Sequence, residues 1–170
     1  MMKPRFLSHL PAVIVREVEE GRAAVVGGAV RAEFDGTRLE DVDVFVFSKE
    51  DHDRLFRETG AREVPETDGY VFVIDGDVPV ELVYEPACTD AQKCVAHADF
   101  DIASGVYSAG QYYWAEDFLE AVKTKTMRFL QTETPKKSYA RFVKYNREYG
   151  YRIDSSIQQL LRIWRESTEG

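Results

Sequence analysis

The stretch that decides the fold spans residues 23–47 and reads A-A-V-V-G-G-A-V-R-A-E-F-D-G-T-R-L-E-D-V-D-V-F-V-F. The run from Arg22 to Val26 is short, apolar and β-branched at its end, which is typical of a buried strand. Gly27 and Gly28 break that run, and residues 29–34 suit a short helix. The stretch therefore begins with a predicted strand, a glycine turn and a helix.

Residues 41–47 predict a second strand, because their side chains alternate with a period of two. Asp41 and Asp43 share one face of this strand. Residues two apart on a strand lie about 6.5–7 Å apart, so both carboxylates can approach one or two divalent cations. Mg²⁺ is favoured, since it takes oxygen ligands from few carboxylates together with substrate phosphates. A solvated acidic pair at a strand start is the alternative interpretation.

The paired glycines predict an anion site. Gly27 and Gly28 let the backbone approach a ligand closely, and the amides that open the following helix favour a negative group. Arg31 lies one turn into that helix, where it can add a charged contact to phosphate. The sequence is not a dinucleotide-binding fingerprint, because it lacks G-x-G-x-x-G. It is not a P-loop either, because no Gly-Lys-Ser/Thr follows the glycines. A tight turn packed against the sheet is the alternative.

A β-hairpin is predicted further along the chain. Asp75-Gly76 joins two apolar β-rich runs, Tyr70–Ile74 and Val78–Tyr84, and Asp-Gly is a strong hairpin signal. Glu81 lies in the middle of the second run, where a carboxylate needs a partner or a cation. Glu81 is thus the candidate third carboxylate, and an exposed sheet face is the alternative.

Helical periodicity marks four further segments. Residues 8–20 and 48–60 each carry helix signals, the second with a serine cap at its start and a glycine stop. A third predicted helix with one apolar face ends at Gly150, and residues 157–164 form the apolar face of a fourth. Residues 99–114 are compatible with either strand or helix.

Charge divides the chain near residues 123–136. The whole chain has a net charge of −8 over 170 residues; residues 1–122 carry 25 acidic against 11 basic side chains, and residues 123–170 carry 5 against 11. We therefore expect a head domain over 1–122 and a basic helical neck over 123–170. Such asymmetry is typical of nucleic-acid contact, here with RNA or a single strand; solvated helices are the alternative. The candidate RNA-contacting cations are Lys136, Lys137, Lys144 and Arg147.

The sequence predicts a cytoplasmic protein without a membrane partner. The longest run of apolar residues and glycine near the middle, Ala23–Val30, is far shorter than the roughly 20 residues of a spanning helix. The amino terminus lacks a charged-then-apolar signal region. Cys88, Cys94 and His97 form a C-x5-C-x2-H pattern, but structural zinc sites usually need four ligands in tighter pairs. The cysteines are interpreted as small, partly buried apolar residues.

The motifs resemble the head domain of polymerase-β-like nucleotidyltransferases. The resemblance rests on the glycines at 27–28, a gap of 12 residues, the aspartates at 41–43 and the later Glu81. It is greatest to CCA-adding enzymes and bacterial poly(A) polymerases. Their G-G-x-V-R-D and D-I-D-I motifs compare with G-G-A-V-R-A and D-V-D-V in this chain.

Two later segments extend the resemblance. Residues 99–104, D-F-D-I-A-S, resemble the family motif R-R-D-F-T-I-N-A, with Asp99 at its aspartate. Residues 141–153, R-F-V-K-Y-N-R-E-Y-G-Y-R-I, resemble the neck helix R-A-I-R-F-A-A-R-L-G-F-E-I. The likeness thus runs in the family's order from about residue 22 to residue 153.

The resemblance implies an α/β (α+β) fold, with a small mixed sheet flanked by helices and followed by a short helical segment. It implies metal-dependent transfer of a nucleotidyl group from a nucleoside triphosphate, such as ATP, to an acceptor hydroxyl, with an RNA end among the acceptors. Two Mg²⁺ ions would be held by Asp41, Asp43 and Glu81, which are also the catalytic candidates. The nucleotide would be bound by Gly27, Gly28, Arg31 and Asp99.

The chain departs from the family in several places. Ala32 stands where the family has an acid, and His97-Ala98 replaces paired arginines that contact the nucleotide. The region of the acid-acid-x-x-Arg nucleotide selector is occupied by Thr134, Pro135 and Ser138. We expect this chain to lack the family's body and tail, which hold transfer RNA. The chain therefore resembles a reduced relative, and the alternative function is a catalytically inactive domain that binds nucleic acid or protein.

Overall fold

The computed structural model describes residues 2–169, and their strands form one main sheet and one small one. The strands are β1 (Ala23–Val26), β2 (Val42–Val46), β3 (Arg62–Glu63), β4 (Val71–Ile74), β5 (Val80–Val83), β6 (Val106–Ser108), β7 (Gln111–Tyr113), β8 (Thr126–Met127) and β9 (Arg152–Ile153). Within these residues the main sheet has the order β3-β4-β5-β2-β1-β6-β7. Its pairs are antiparallel except β2 with β5, which is parallel. β8 and β9 pair in parallel beside it.

Helices surround the main sheet. They are α1 (Ala12–Glu19), α2 (Gly28–Asp35), α3 (Lys49–Thr59), α4 (Ala91–His97), α5 (Phe118–Thr124), α6 (Pro135–Tyr149) and α7 (Ile157–Glu169), with 3-10 turns at Arg5–His9, Pro65–Thr67 and Asp101–Ala103. The predicted mixed α/β fold is confirmed. Across residues 2–169 there is no helix with the length and apolar character needed to span a bilayer.

The predicted strand, glycine turn and helix are confirmed. β1 is buried, and Gly27 follows it with φ +81° and ψ −124°, a conformation that side chains with a Cβ rarely adopt. α2 then ends at Gly36, which has the left-handed conformation (φ +71°) typical of a helix C-terminus. β2 alternates buried valines with half-buried residues, as its period of two predicts.

Two predictions at local signals are also confirmed. Ser48 caps α3 by accepting a hydrogen bond from the backbone N–H of Asp51 at 3.1 Å, and Gly60 ends that helix in the left-handed region. β4 and β5 form the predicted antiparallel hairpin. Ile74 pairs with Val80, so residues 75–79 form its loop, and the predicted start of the second strand at Val78 is two residues too early. These signals depend on residues only a few positions apart, so the sequence contains them complete.

The predicted helix over residues 8–20 is wrong at its start. Pro11 occupies the N-cap position with ψ 149°, and α1 begins after it, because proline lacks an N–H and its ring excludes the helix interior. The ambiguous residues 99–114 form a 3-10 turn followed by the β6–β7 hairpin. Ala109 and Gly110 both have positive φ there, as a two-residue hairpin turn requires.

The C-terminal helices pack on the head through a shared core. Tyr145 on α6 and Leu160 on α7 are buried in the same apolar cluster as the residues of β1 and β2. The division into residues 1–122 and 123–170 therefore stays a prediction. What the packing does establish is that α6 lies over the end of the sheet where β2 begins.

Candidate functional site

Asp43 lies in the middle of the main sheet, between the two strands that form the site. Its Cα is paired with Val26 on β1 and with Glu81 on β5. Residues paired in register direct their side chains to the same face, so Asp43 and Glu81 are neighbours. Asp41 lies two residues before Asp43 and therefore points to that face as well. The structure thus brings together the three carboxylates that the sequence singled out, while their roles stay predictions.

The three carboxylates repel one another electrostatically. Burial raises the pKa of Asp43 well above its usual range, and the charges of Glu81 and Asp41 raise it further. Burial also raises the pKa of Asp41, with the charge of Glu81 as the next cause. The charges of Arg141 and Lys144 oppose these shifts at Asp43 and Asp41, respectively. A cluster of this kind is stabilised by a proton or by a cation.

One oxygen of Asp43 lacks a partner. Its Oδ1 is buried and accepts no hydrogen bond from any group in residues 2–169. Buried carboxylate oxygens are normally satisfied, so an orphan of this kind fits a cation, a proton or a water. In the same part of the chain, no group of three or more His, Cys, Asp or Glu side chains is already arranged to hold a metal ion. The cluster therefore offers oxygens to a cation without forming a complete ligand shell.

The glycine turn lies directly beside this cluster. Val26, the strand partner of Asp43, is followed by Gly27, whose N–H donates to the carbonyl of Gly105 at 2.9 Å. α2 begins at Gly28, and no side chain of the described residues caps that end. The amides of the first helical turn consequently remain available to an anion or to water.

Arg31 is buried against the glycine turn, with 3% of its surface exposed. Its Nε donates to Asp35 at 3.0 Å and its Nη2 to Thr37 at 3.3 Å. The guanidinium also lies 4.3 Å from the ring centroid of Tyr149. A Cβ built on Gly28 would lie 3.7 Å from Arg31 Nη1, so this nitrogen is next to the turn. The sequence predicted Arg31 at this place and gave no sign of Asp35.

One cavity of about 160 Å³ between the sheet and α6 is lined by Arg31, Asp41 and Asp43. Gly28 also forms part of its wall. Glu81 does not line this cavity, and its charge acts on the site from β5. Besides Glu40, the charged lining of the cavity consists of Arg31, Arg38, Asp41, Asp43, Arg141 and Lys144. Three carboxylates, with Glu40 among them, thus face four cationic groups, an arrangement that suits a ligand with phosphates and a bound cation.

A second cavity of about 120 Å³ adjoins the first. Gly28, Asp43, Arg141 and Tyr145 belong to the walls of both cavities. Much of the remaining wall is apolar and includes Phe45. The cleft therefore has a charged part and a less polar part that meet at Asp43.

Asp99 was predicted to bind the nucleotide, and the structure places it at the wall of the second cavity. It is 5% exposed, and its Oδ2 accepts hydrogen bonds from Ser138 at 2.8 Å and from Arg141 at 2.9 Å. Its Oδ1 has no partner among the described residues. Asp99 thus anchors α6 and orients Arg141, and its contact with a nucleotide stays a prediction. The place of Arg141 in the walls of both cavities was missed, although this residue begins the neck motif.

The basic residues of α6 divide into two groups. Lys144 Nζ contacts Glu40 at 2.6 Å, so this lysine closes over the first cavity. The other three predicted RNA-contacting cations, Lys136, Lys137 and Arg147, are exposed. Of the predicted set, Lys144 is therefore placed to meet a ligand in the cavity.

The two cysteines are buried and free. Cys94 Sγ donates a weak hydrogen bond to the carbonyl oxygen of Cys88 at 3.8 Å. Within residues 2–169, no group of three or more His, Cys, Asp or Glu side chains that could hold a metal ion includes these thiols or His97. Their burial agrees with the interpretation as small apolar residues.

The fold is that of a nucleotidyltransferase head domain, and the resemblance seen in the sequence is confirmed. The chain superposes on a solved tRNA-processing enzyme (apo form I) with a TM-score of 0.68 and 22% identity, over 95% of this chain and 47% of that one. A Thermotoga maritima CCA-adding enzyme complexed with tRNA gives 0.66 and 17%, over 91% and 42%. A tRNA nucleotidyltransferase complexed with a primer tRNA and an incoming ATP analog gives 0.62 and 23%, over 88% and 48%.

The chain belongs to the Gabija anti-defense 2 family, whose model matches residues 2–125. It spans less than half the length of each of the three solved structures above. The comparison with curated proteins finds no match.

Proposed function

We propose that the protein transfers a nucleotidyl group from a nucleoside triphosphate to an acceptor hydroxyl in a reaction that depends on Mg²⁺. The observation that carries the proposal is the cavity in which Asp41 and Asp43 face cationic side chains beside the uncapped start of α2. Catalysis of this type needs positioning and charge neutralisation more than covalent chemistry, so few protein groups suffice.

The residues present fit Mg²⁺. The buried Oδ1 of Asp43 lacks a hydrogen-bond partner among the described residues, and Asp41 shares its cavity. Mg²⁺ usually takes one or two carboxylates and completes its shell with waters and substrate phosphates, so a complete protein shell is not required. Asp41 and Asp43 would hold the ions, with Glu81 beside them. The ions would supply neutralisation of the charge that develops on the phosphoryl oxygens.

The chain's own groups then have separate tasks. Gly27 and Gly28 admit the triphosphate to the amides of α2, and Arg31 donates to its oxygens. The acceptor oxygen forms a bond to the α-phosphorus while the bond from that phosphorus to the bridging oxygen breaks, and pyrophosphate leaves. Glu81, adjacent to Asp43, takes the proton of the acceptor hydroxyl.

The C-terminal segment belongs to the proposed site. α6 supplies Arg141 and Lys144 to the charged cavity, where both can contact phosphates. The exposed Lys136, Lys137 and Arg147 lie on the same helix, and we propose that they guide an RNA or single-stranded acceptor. Solved neighbours are complexed with tRNA, which supports an RNA acceptor in general terms.

The test is a transfer assay with each α-³²P-labelled nucleoside triphosphate, Mg²⁺ and total RNA. We expect label to enter an acceptor with the wild-type protein and not with Asp43→Asn, which keeps the shape of the side chain and removes its charge. Asp53→Asn serves as the matched control, because Asp53 lies on α3 and pairs with Lys49 outside the cavity. Equal labelling by wild type and Asp43→Asn would remove the proposal's main support.

A second candidate function is a non-catalytic binding module. Membership of a family described by its anti-defense role favours it. The melting temperature separates the two candidates. A ligand at 100 times its dissociation constant stabilises the native state by about 2.7 kcal/mol. An inactive module that has lost the nucleotide site shows no such shift with Mg²⁺ and any nucleoside triphosphate.

A further inference from the structure

Asp35 is a fully buried carboxylate at the end of α2, outside the residues to which the proposed reaction assigns a role. It accepts hydrogen bonds from Arg31 Nε at 3.0 Å, from the Thr37 backbone N–H at 2.9 Å and from Thr37 Oγ1 at 2.6 Å. A further bond comes from Tyr151 Oη at 2.8 Å, across 116 positions of sequence. Lys125 Nζ lies 3.8 Å away. The carboxylate therefore joins α2 to both ends of the segment 125–151.

The charge of Asp35 is held in place by these contacts. Burial acts to raise the pKa of this carboxyl, but the hydrogen bonds from Thr37 and Tyr151 and the charge of Arg31 lower it overall. Asp35 is consequently an anion in the folded protein. A buried anion requires its partners, because removing one leaves an uncompensated charge.

Arg31 is oriented by the same arrangement. Two of its nitrogens are used by Asp35 and Thr37, and its guanidinium plane rests against Tyr149. The remaining nitrogen, Nη1, lies beside Gly28. The long arginine side chain would otherwise have several rotamers, whereas here one is selected and Nη1 is directed to the helix start.

We propose that Asp35 is a positioning residue that makes phosphate binding by Arg31 depend on the docking of residues 125–151. The inference rests on the proposed function for the identity of the ligand, a triphosphate. Tyr151 and Lys125 come from the C-terminal segment and meet Asp35, while Tyr149 meets Arg31 directly. When this segment is docked, Asp35 fixes Arg31; when it is displaced, both residues lose partners and Nη1 loses its direction.

The test compares three full-length variants. Tyr151→Phe removes one hydrogen bond from Asp35 and retains the ring, and Asp35→Asn removes the charge while keeping the shape. Glu33→Gln is the control, since Glu33 lies on the same helix and contacts Arg5. The probe is inorganic tripolyphosphate with Mg²⁺, titrated by calorimetry, together with the ¹⁵N NMR signal of the Arg31 Nε–H without ligand.

We expect Tyr151→Phe to weaken tripolyphosphate binding roughly threefold to tenfold and Asp35→Asn to weaken it at least tenfold, in keeping with the loss of hydrogen bonds to a charged group. In both variants the Arg31 Nε–H signal should shift or broaden, whereas Glu33→Gln should match wild type in both measurements. A residue that only stabilises the fold would leave the affinity of the folded protein unchanged.

The outcomes separate this inference from the proposed function. If wild type fails to bind tripolyphosphate, the phosphate site is refuted, and the ligand-free Arg31 signal still decides whether Asp35 positions that side chain. If Asp35→Asn does not fold, Tyr151→Phe carries the comparison. An unchanged Arg31 signal and wild-type affinity in the folded Tyr151→Phe variant would overturn the inference.

Discussion

The substitution Gly28→Ala, at the start of α2, should weaken ligand binding while it raises the stability of the fold. Gly28 does not have a positive φ, unlike Gly27, so alanine fits its backbone. The nearest atom to the new Cβ would be Arg31 Nη1 at 3.7 Å, an ordinary van der Waals contact. The fold should therefore accept the methyl group, and the loss of unfolded-state freedom should add about 0.4–1 kcal/mol of stability.

The same methyl group should exclude the ligand. A phosphate oxygen must come within about 2.7–3.2 Å of the donors that hold it, and the Cβ would fill the gap between Gly28 and Arg31 Nη1. Losing one charge-assisted hydrogen bond costs about 1.5–3 kcal/mol, which corresponds to roughly a tenfold to hundredfold weaker affinity. Calorimetric titration with Mg²⁺-tripolyphosphate measures the affinity, and urea unfolding measures the stability.

Gly27→Ala provides the matched control. Gly27 has φ +81°, so alanine is strained there whatever the space, and this variant should lose stability. We therefore expect the two substitutions to change stability in opposite directions, although each adds the same methyl group at adjacent positions. Wild-type affinity for tripolyphosphate in Gly28→Ala would refute the placement of the phosphate site.

Three further predictions concern stability. Gly105→Ala would place a Cβ 2.6 Å from Val30 Cγ1, so it should destabilise the fold by about 1–3 kcal/mol in urea unfolding. Gly76→Ala should not, because its Cβ would meet only the carbonyl oxygen of Val78, at an ordinary contact distance of 3.9 Å. The pKa of Asp43 is raised above 3.8, so the metal-free protein should lose stability as pH rises from 4 towards the raised value. The variant Asp43→Asn should lack that loss and should be more stable than wild type at pH 7. Equal stability of the two proteins at pH 7 would contradict the repulsion between the carboxylates. Burial lowers the pKa of His52 below 6.5, so stability should fall as pH decreases through 6.5, and His52→Gln should lose this dependence in thermal unfolding at stepped pH.

Much of the site was predictable because its signals are local. The glycine turn at 27–28 and the alternation from Asp41 to Phe47 are complete within a few residues, and they fix both the elements and the face of the carboxylates. Glu81 was placed on the correct hairpin by Asp75-Gly76. The pairing of Glu81 with Asp43 was not contained in either segment, since it depends on which strands become neighbours.

Contacts between distant side chains were not predictable in the same way. Arg141 meets Asp99 across 42 positions, and Lys144 meets Glu40 across 104. Each contact depends on the rotation and tilt of α6 on the sheet, which a periodic apolar face constrains only loosely. Pro11 differs from these cases, because its effect on the helix over 8–20 is local and the proline was visible in the sequence.

The parallel pairing of β2 with β5 has a kinetic consequence. The β4–β5 hairpin closes through residues 75–79 alone, whereas residues 47–79 separate β2 from β5. Non-local strand pairs are slow to form, because the chain loses loop-closure entropy before the new contacts stabilise it. The carboxylates of Asp43 and Glu81 are therefore expected to meet after the β4–β5 hairpin has closed. Their mutual repulsion should slow this pairing step as pH rises and should leave the hairpin unaffected.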